Sequence, residues 1–273
     1  MLEYVKSSDK KNEISKNNLS LKEIEKLSIF LSRIFKKNSK FQLKQGYSIE
    51  FLNWLYNENP NGPSIINNVY ENEKIIAHFA LVPITVLFNN KTYKSALSVF
   101  TSIDENHRNL YFFHQLASQS FELARSQGIR FIMSIASEVG SELYIKCFKF
   151  KLIAPLDVKI GWSKFQEKNK SQHKFEVLRD NTTLEWRLRN PRFKYQIFKE
   201  KEKYIIFNNN YKLFKMNMGY ISNINLDLHN KIISNKKWNI NPLNVWMGLN
   251  NNLKEEKMSF NFPNILKPSP SNF

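Results

Sequence analysis

The residues of this chain best suited to chemistry concentrate in one stretch, SIDENHRNLYFFHQLASQSFELARSQG, residues 102–128. An apolar strand pattern ends at Ile103, a polar loop carries His107 and Arg108, and a helical pattern opens near Leu110. The first turn of a helix leaves backbone N–H groups without intrahelical partners, and together with the helix dipole they favour an anion such as a diphosphate. Any residue but proline brings that N–H. Asn109, Leu110, Tyr111, Phe112 and Phe113 are therefore candidate donors, with Arg108 and His107 adding charge and Ser102 and Ile103 forming the strand end beside them. Glycine would add close backbone approach and easy access to positive φ, but the stretch has none before Gly128. The competing reading is that Leu110, Phe113 and Leu116 pack inward and plug the groove. Asp104 and Glu105 lead into the loop and repel a diphosphate unless they turn away.

Candidates for a general base are few. Glu138 follows the next strand pattern. His78 alternates within a strand and reads as a satisfied, half-buried histidine. His114 lies one residue off an apolar helix face and reads as solvated. Other chemistries find no motif: there is no phosphate-binding or dinucleotide glycine pattern, no G-x-S-x-G and no H-E-x-x-H. His107 and His114 are not spaced as an i, i+4 ligand pair, and the single Cys147 excludes an internal disulfide framework or a cysteine-rich zinc site.

The elements that must position these groups follow from periodicity. Ser20 and Glu23 form a capping-box pattern, and Leu21, Ile24, Leu27, Leu31, Ile34 and Phe35 recur on one helical face. A short second helix begins after Ser48 and ends at the turn containing Asn59, Pro60, Gly62 and Pro63. Strand patterns cover 65–70, 74–82, 84–88 and 93–103, with tight turns at ENEK and NNK and an interruption at Pro83. In the next helix Phe113, Leu116, Ala117, Ser120, Phe121 and Ala124 share a face, and Gly128 sits where a left-handed cap belongs. IRFIMSIA reads as a buried strand, SELYIKCF as a short helix and KLIAPLDVKIGW as a strand. The order is α-α-β-β-β-β-α-β-α-β. A polar linker, SKFQEKNKSQHK, follows. Beyond it TLEWRLRNP echoes FLNWLYNENP: Leu184 and Trp186 match Leu52 and Trp54, and an Asn-Pro pair closes each.

The 273 residues suit one large or two small domains, and 42% hydrophobic with 14% aromatic residues supports a real core. The net charge of +17 favours anionic partners, but it is lysine-dominated and diffuse and does not by itself indicate nucleic acid. No stretch reads as a secretory signal or approaches the roughly 20 apolar residues of a membrane span, so the expectation is a cytoplasmic protein.

Three passages resemble the GCN5-related N-acetyltransferases (GNAT), and within them a bacterial branch with a partial second copy of the fold. NWLYNENPNGPSIINNVYENEKIIAHFALVPI is similar to that branch's entry helix and first hairpin. ALSVFTSIDENHRNLYFFHQLASQSFELARSQGIRFIMSI is similar to its splayed strand, cofactor loop, helix and following strand. SELYIKCFKFKLI is similar to its closing Y-x-K-x-x-G-F/W helix. The resemblance implies an α+β fold with a mixed, splayed central sheet flanked by helices, followed by a smaller α+β half. It implies a GNAT-like domain at 19–163 and a partial second copy at 175–262, between a disordered end over 1–18 and an extended tail at 263–273 that are read from their polar, Pro- and Asn-containing sequences. Arg108 matches the first position of the family's R/Q-x-x-G-x-G/A loop, but Tyr111 and Phe113 replace the glycines; Lys149 replaces another.

The resemblance further implies acetyl-CoA as co-substrate and no metal. Tyr144 falls where members place the tyrosine that protonates the leaving thiolate, and Ser137 where an asparagine holds the pantetheine arm. The expected activity is N-acyl transfer, an acetyl group passing to a small primary amine such as an amino sugar. Two alternatives stand beside it: a catalytically degenerate GNAT-like binding protein, favoured by the missing glycines, and a FemX-like aminoacyl-tRNA-dependent transferase, for which the positive charge would suit tRNA.

Overall fold

The computed structural model of the protein describes residues 10–15, 18–36, 46–151, 156–161, 175–178, 180–193, 195–200, 203–208, 220–222 and 244–249. The polar linker over 163–174 and the tail from 263 lie outside them.

Helix α1 (Leu21–Lys36) opens with the expected capping box. Glu23 Oε2 accepts from Ser20 N at 2.7 Å, and Ser20 Oγ accepts from Glu23 N at 3.3 Å. Its inner face is Ile24, Leu27, Phe30 and Leu31; Leu21, expected on that face, points to solvent. Helix α2 (Ile49–Tyr56) is capped by Ser48, whose side chain accepts from Phe51 N.

The N-terminal segment departs from expectation. Residues 10–15, read as part of a disordered end, form strand β1 (Lys10–Ser15), paired antiparallel with β2 (Ile65–Glu71). A polar sequence gains a strand here because β2 offers it an unpaired backbone edge, a cause that hydrophobic patterning does not register.

The central sheet continues through β3 (Lys74–Phe88), β4 (Lys91–Ile103) and β5 (Phe131–Ser134) in the order β1-β2-β3-β4-β5. Both hairpin turns are two residues long, and Asn72, Glu73, Asn89 and Asn90 all have positive φ, the primed-turn geometry that suits twisted strands. Strand β3 does not break at Pro83. Pro83 pairs with Ala96 of β4, and β2 has already run out opposite Leu81, so the missing N–H faces no strand. On that side Asn59 Nδ2 donates to Pro83 O at 2.8 Å.

Helix α3 (Leu110–Ser126) crosses from β4 to the parallel strand β5, and α4 (Glu138–Phe148) follows. The face expected of α3 is buried in full: Phe113, Leu116, Ala117, Ser120, Phe121 and Ala124. Gly128 takes φ +78° beyond its C-terminus, as the cap pattern predicts. Two cores result, one on each face of the sheet. Helices α1 and α2 cover one with Leu27, Leu52 and Ile66; α3 and α4 cover the other with Phe79, Phe113, Leu116 and Phe148.

After residue 150 two strand pairings differ from expectation. Strand β6 (Leu156–Gly161), expected to close the first domain, pairs instead with β11 (Asn244–Leu249). Strand β7 (Phe175–Val177), expected to open the second half, pairs with the end of β3 at Val86–Phe88. Neither partner choice is encoded in a local pattern, because each depends on an open edge supplied from far away in sequence. Helix α5 (Asn181–Leu188) is capped by Asp180, and the hairpin of β8 (Tyr195–Glu200) and β9 (Lys203–Asn208) carries β10 (Tyr220–Ser222) on its outer edge.

Candidate active site at the splay of β4 and β5

Strand β5 pairs only with Ser95–Ser98 of β4. Strand β4 runs on to Ile103, so Val99–Ile103 face a wedge with no strand partner on that side among the described residues. A β-bulge lies within this free stretch: His78 of β3 faces Ser102 and Ala80 faces Val99, leaving Phe100 and Thr101 opposite the single residue Phe79. Phe100 sits at φ +53°, a left-handed conformation rare for a bulky residue and common beside functional sites.

The bulge changes which side chains share a face. Ser98 and Thr101 are three residues apart and would project oppositely from a regular strand. Both instead reach the hydroxyl of Tyr144, at 2.7 Å from Ser98 Oγ and 3.1 Å from Thr101 Oγ1. Tyr144 projects from α4 into the wedge and is 5% exposed. Burial raises its pKa, and hydrogen bonds from Ser98, Thr101 and Ser134 work against that rise. Its ring packs edge-on against Phe113 at 5.6 Å and tilted against Phe150 at 5.0 Å. Ser98 and Thr101 were not among the residues singled out by sequence; a serine and a threonine in a strand carry no signal until the bulge is known.

The loop between β4 and α3 folds back on the strand end. Arg108 Nε donates to Ile103 O at 3.1 Å, and Ser102 Oγ donates to Phe100 O at 2.9 Å. Asn109 caps α3, its Oδ1 accepting from Phe112 N at 2.6 Å. An amide that a glycine loop would offer to phosphate is thus held by a neutral carboxamide. Leu110 and Tyr111 project outward, 58% and 62% exposed, so neither fills the groove; Phe113 is buried behind them against Tyr144 and Phe148. Phe112 is half-buried against the same core.

At the acidic approach to the loop, Asp104 is paired with a cation. Asp104 turns inward, and its Oδ2 accepts from Arg33 Nη1 of α1 at 2.5 Å while Oδ1 accepts from Asn106 N at 3.2 Å. Burial raises its pKa, but these hydrogen bonds and the charge of Arg33 win and hold it below the usual value. His107 lies within 3.2 Å of Glu71 Oε2 and 4.0 Å of Asp104 Oδ1, so it faces carboxylates and is not turned to the wedge.

The remaining candidates separate clearly. His78 is fully buried. Its Nδ1–H donates to Asn68 Oδ1 at 2.7 Å, which leaves Nε2 to accept from Tyr56 O–H at 3.1 Å. Burial lowers its pKa to about 3, so it is a locked core group and no base. His114 is exposed and stacks on Phe148 at 5.0 Å, 15° between planes. Ser137 caps α4, accepting from Gly140 N at 3.3 Å with its own O–H left to donate. Glu138 is the first residue of α4. Among the described residues no group of three or more His, Cys, Asp or Glu side chains can hold a metal, and no helix is long and apolar enough to cross a membrane.

The residues present fit acetyl-CoA in three respects: a bulged strand whose end has no β5 partner, a helix N-terminus at the end of that strand, and a phenol hydrogen-bonded to the strand at the point of divergence. Residues 18–146 match the family model described as an acetyltransferase (GNAT) domain. No curated protein matches the sequence. Among solved structures, a predicted acetyltransferase from Clostridium acetobutylicum, crystallised with acetyl-CoA, is similar at 19% identity and TM-score 0.43, covering 60% of this chain and 98% of its own. Glucosamine-6-phosphate N-acetyltransferase from Arabidopsis thaliana is similar at 14% identity and TM-score 0.39, covering 59% and 99%. A conserved protein from Enterococcus faecalis is similar at 12% identity and TM-score 0.48, covering 72% of this chain and 55% of its own.

Proposed function

We propose that this chain, which carries a GNAT-type acetyltransferase domain at residues 18–146, is an acyl-CoA-dependent N-acyltransferase that moves an acetyl group to a primary amine, with amino sugars as the favoured acceptor class. The observation that carries this reading is the wedge itself: β5 ends opposite Ser98, β4 continues past a bulge to Ile103, and the hydroxyl of Tyr144 lies in the gap.

Acetyl-CoA supplies an activated acyl carbon and a thiol leaving group. The protein's task is to hold two reactants together, an effect worth about 7–11 kcal/mol at best. The strand end at Ser102 and Ile103, which has no strand partner on the β5 side among the described residues, would lie along the pantetheine arm, with the O–H of Ser137 donating from the α4 side. Arg108 and the backbone of Asn109–Phe112 at the start of α3 would meet the diphosphate, with the exposed Leu110 and Tyr111 side chains flanking it; Phe113, expected among the donors, already gives its N–H to Asn109 O at 3.3 Å. Tyr144 would protonate the leaving sulfur, a role suited to a phenol that burial keeps neutral. Glu138, opening α4, is proposed to take the amine's proton, since His78 is locked. We also read residues 180–208 as part of a second, incomplete copy of the α2–β2–β3 unit, supported by the shared order of capped helix, Asn-Pro turn and hairpin.

A second reading is favoured by one observation. The side chain of Asn109 already accepts from Phe112 N, as an anion would; on this reading the domain is a scaffold that no longer binds CoA. Calorimetric titration of the purified protein with acetyl-CoA, and separately with bulk tRNA, decides. Micromolar acetyl-CoA binding supports the transferase. No heat from either leaves the scaffold. Binding of tRNA with a steep salt dependence points to an aminoacyl-tRNA substrate instead.

A further inference from the structure

The contact between β4 and Tyr144 says more than that a tyrosine is present. A phenol that gives up its proton becomes a phenolate, and inside a protein that charge needs donors aimed at the oxygen. Two aliphatic hydroxyls already meet that oxygen, Ser98 Oγ at 2.7 Å and Thr101 Oγ1 at 3.1 Å, and Ser98 is itself buried. Each can act as donor or acceptor. If both donate into the phenol oxygen, the tyrosine's own proton is directed away from β4, toward the β5 side where Ser134 and the wedge lie. The bulge that brings both hydroxyls to one face is held by a backbone conformation unfavourable for Phe100, so the arrangement is maintained against local preference.

We propose that Ser98 and Thr101 are positioning residues that orient the Tyr144 O–H toward the leaving sulfur and then stabilise the phenolate it leaves behind. This deepens the transferase reading and rests on it. In the step, the acyl C–S bond breaks with its electron pair going to sulfur, the sulfur takes the Tyr144 proton to form the S–H bond of the departing thiol, and the O–H electron pair stays on the phenolic oxygen. The two hydroxyls donate to that oxygen until solvent restores the proton. Among the described residues the elements packed against Tyr144 bring no charge to it: β4 presents Ser98 and Thr101, β5 presents Ser134, α3 presents Phe113, and Phe150 lies against its ring. Hydroxyl donors are therefore the means by which this site favours the phenolate against the cost of burial.

The test has two independent readouts on the full chain. The first needs no cofactor or acceptor: the ultraviolet phenolate titration of the protein minus that of its Tyr144→Phe variant isolates Tyr144. The same difference is measured in a Ser98→Ala/Thr101→Val background. Loss of two donors should move the Tyr144 titration up by about one pH unit, a tenfold change in its ionisation equilibrium. The second is thiol release from acetyl-CoA across a panel of primary amines including glucosamine. There the double variant should lose about tenfold to 100-fold in kcat, with KM for acetyl-CoA within about twofold, and with the alkaline limb of the kcat profile shifted upward. Ser98→Thr and Thr101→Ser keep the hydroxyls and should restore wild-type behaviour, which separates orientation from folding. Titrations that coincide in the two backgrounds overturn the proposal. So does a kcat loss that Ser98→Thr and Thr101→Ser reproduce in full. Acetyl-CoA binding by calorimetry is scored separately: its absence sinks the transferase reading, while its presence with coincident titrations sinks only the role given to Ser98 and Thr101.

Discussion

Trp54 of α2 and Trp186 of α5 stack at 4.5 Å with 13° between their planes, and each indole N–H donates to the other's backbone carbonyl, at 2.8 and 2.9 Å. The two residues are 132 apart in sequence and occupy matching places in two similar segments. The likeness continues past the helices. Asn59 Oδ1 accepts from Asn61 N and Asn190 Oδ1 accepts from Arg192 N, each at 3.0 Å, so both Asn-Pro pairs build the same turn. Arg192 then lies over the Phe51 ring at 3.3 Å and near Tyr47 at 4.8 Å and Phe100 at 5.9 Å, which ties the later segment to the bulge of β4.

The tryptophan pair should therefore be a main fastening between the two segments. Trp186→Ala is expected to cost about 3–5 kcal/mol through lost burial and a cavity. Trp186→Phe keeps an aromatic face and loses one N–H donor, leaving Trp54 O unpaired, at a cost of about 1–2 kcal/mol. Urea denaturation of the two variants checks the order. Equal and small effects would mean that residues 180–193 contribute little to holding the fold.

The fold was legible wherever local patterning sets the outcome. The capping box at Ser20, the buried face of α3 and the left-handed cap at Gly128 all follow from spacing that physics acts on within one element. Pairings that depend on an edge supplied from elsewhere were not legible, as with β1 on β2, β6 on β11 and β7 on β3. The site divides the same way. The helix start at Leu110 and the strand end at Ile103 could be read directly. The pairing of Tyr144 with Ser98 and Thr101 could not, because a bulge reverses the side-chain alternation on which such a reading depends.

Lys149 ends α4 at φ +57°, in the left-handed region, where the resembling family has glycine. It is exposed, and its side chain gains little there to offset the clash of Cβ with its own backbone. Lys149→Gly is expected to stabilise the protein by about 0.5–1 kcal/mol, the left-handed strain relieved less the extra freedom glycine has in the unfolded chain. A rise of a few degrees in Tm on calorimetry is the readout. No change, or a fall, would mean that the lysine makes a stabilising contact that outweighs its backbone strain.

The chain of hydrogen bonds through Tyr56, His78 and Asn68 predicts a pH dependence. His78 is neutral when folded, with a pKa lowered to about 3 by burial from the ordinary value of 6.5. Below pH 6.5 the unfolded chain takes up a proton at this residue that the folded chain refuses. Stability is thus fully present above pH 6.5 and is lost as pH falls toward 3, by an amount on the order of 4 kcal/mol at the acid end. Carboxylates titrate over the same range, so the comparison must be with His78→Gln, which keeps a polar neutral side chain. The slope of unfolding free energy against pH should be shallower in the variant between pH 6.5 and 4, and parallel slopes would show that His78 accepts a proton without unfolding.

The carboxamide of Asn109 and a diphosphate would compete for one donor, Phe112 N, and this competition separates the transferase reading from the scaffold reading by the sign of two substitutions. Asn109→Ala removes the cap. The ligand-free protein should lose about 1 kcal/mol, but the amide is released to an incoming phosphate, so affinity for acetyl-CoA should rise and part of the lost stability should return at saturating ligand. Asn109→Asp keeps the cap and places a negative charge at the helix N-terminus, which favours the free protein through the helix dipole and repels phosphate. Its affinity for acetyl-CoA should fall by about tenfold, an effect that weakens as salt screens the charges. A purely structural cap would move stability in both variants and leave acetyl-CoA affinity alone. Opposite shifts in affinity, measured by the same calorimetric titration, require the ligand's negative charge to lie at the first turn of α3; identical affinities in both variants place it elsewhere and remove the cofactor role of residues 108–113.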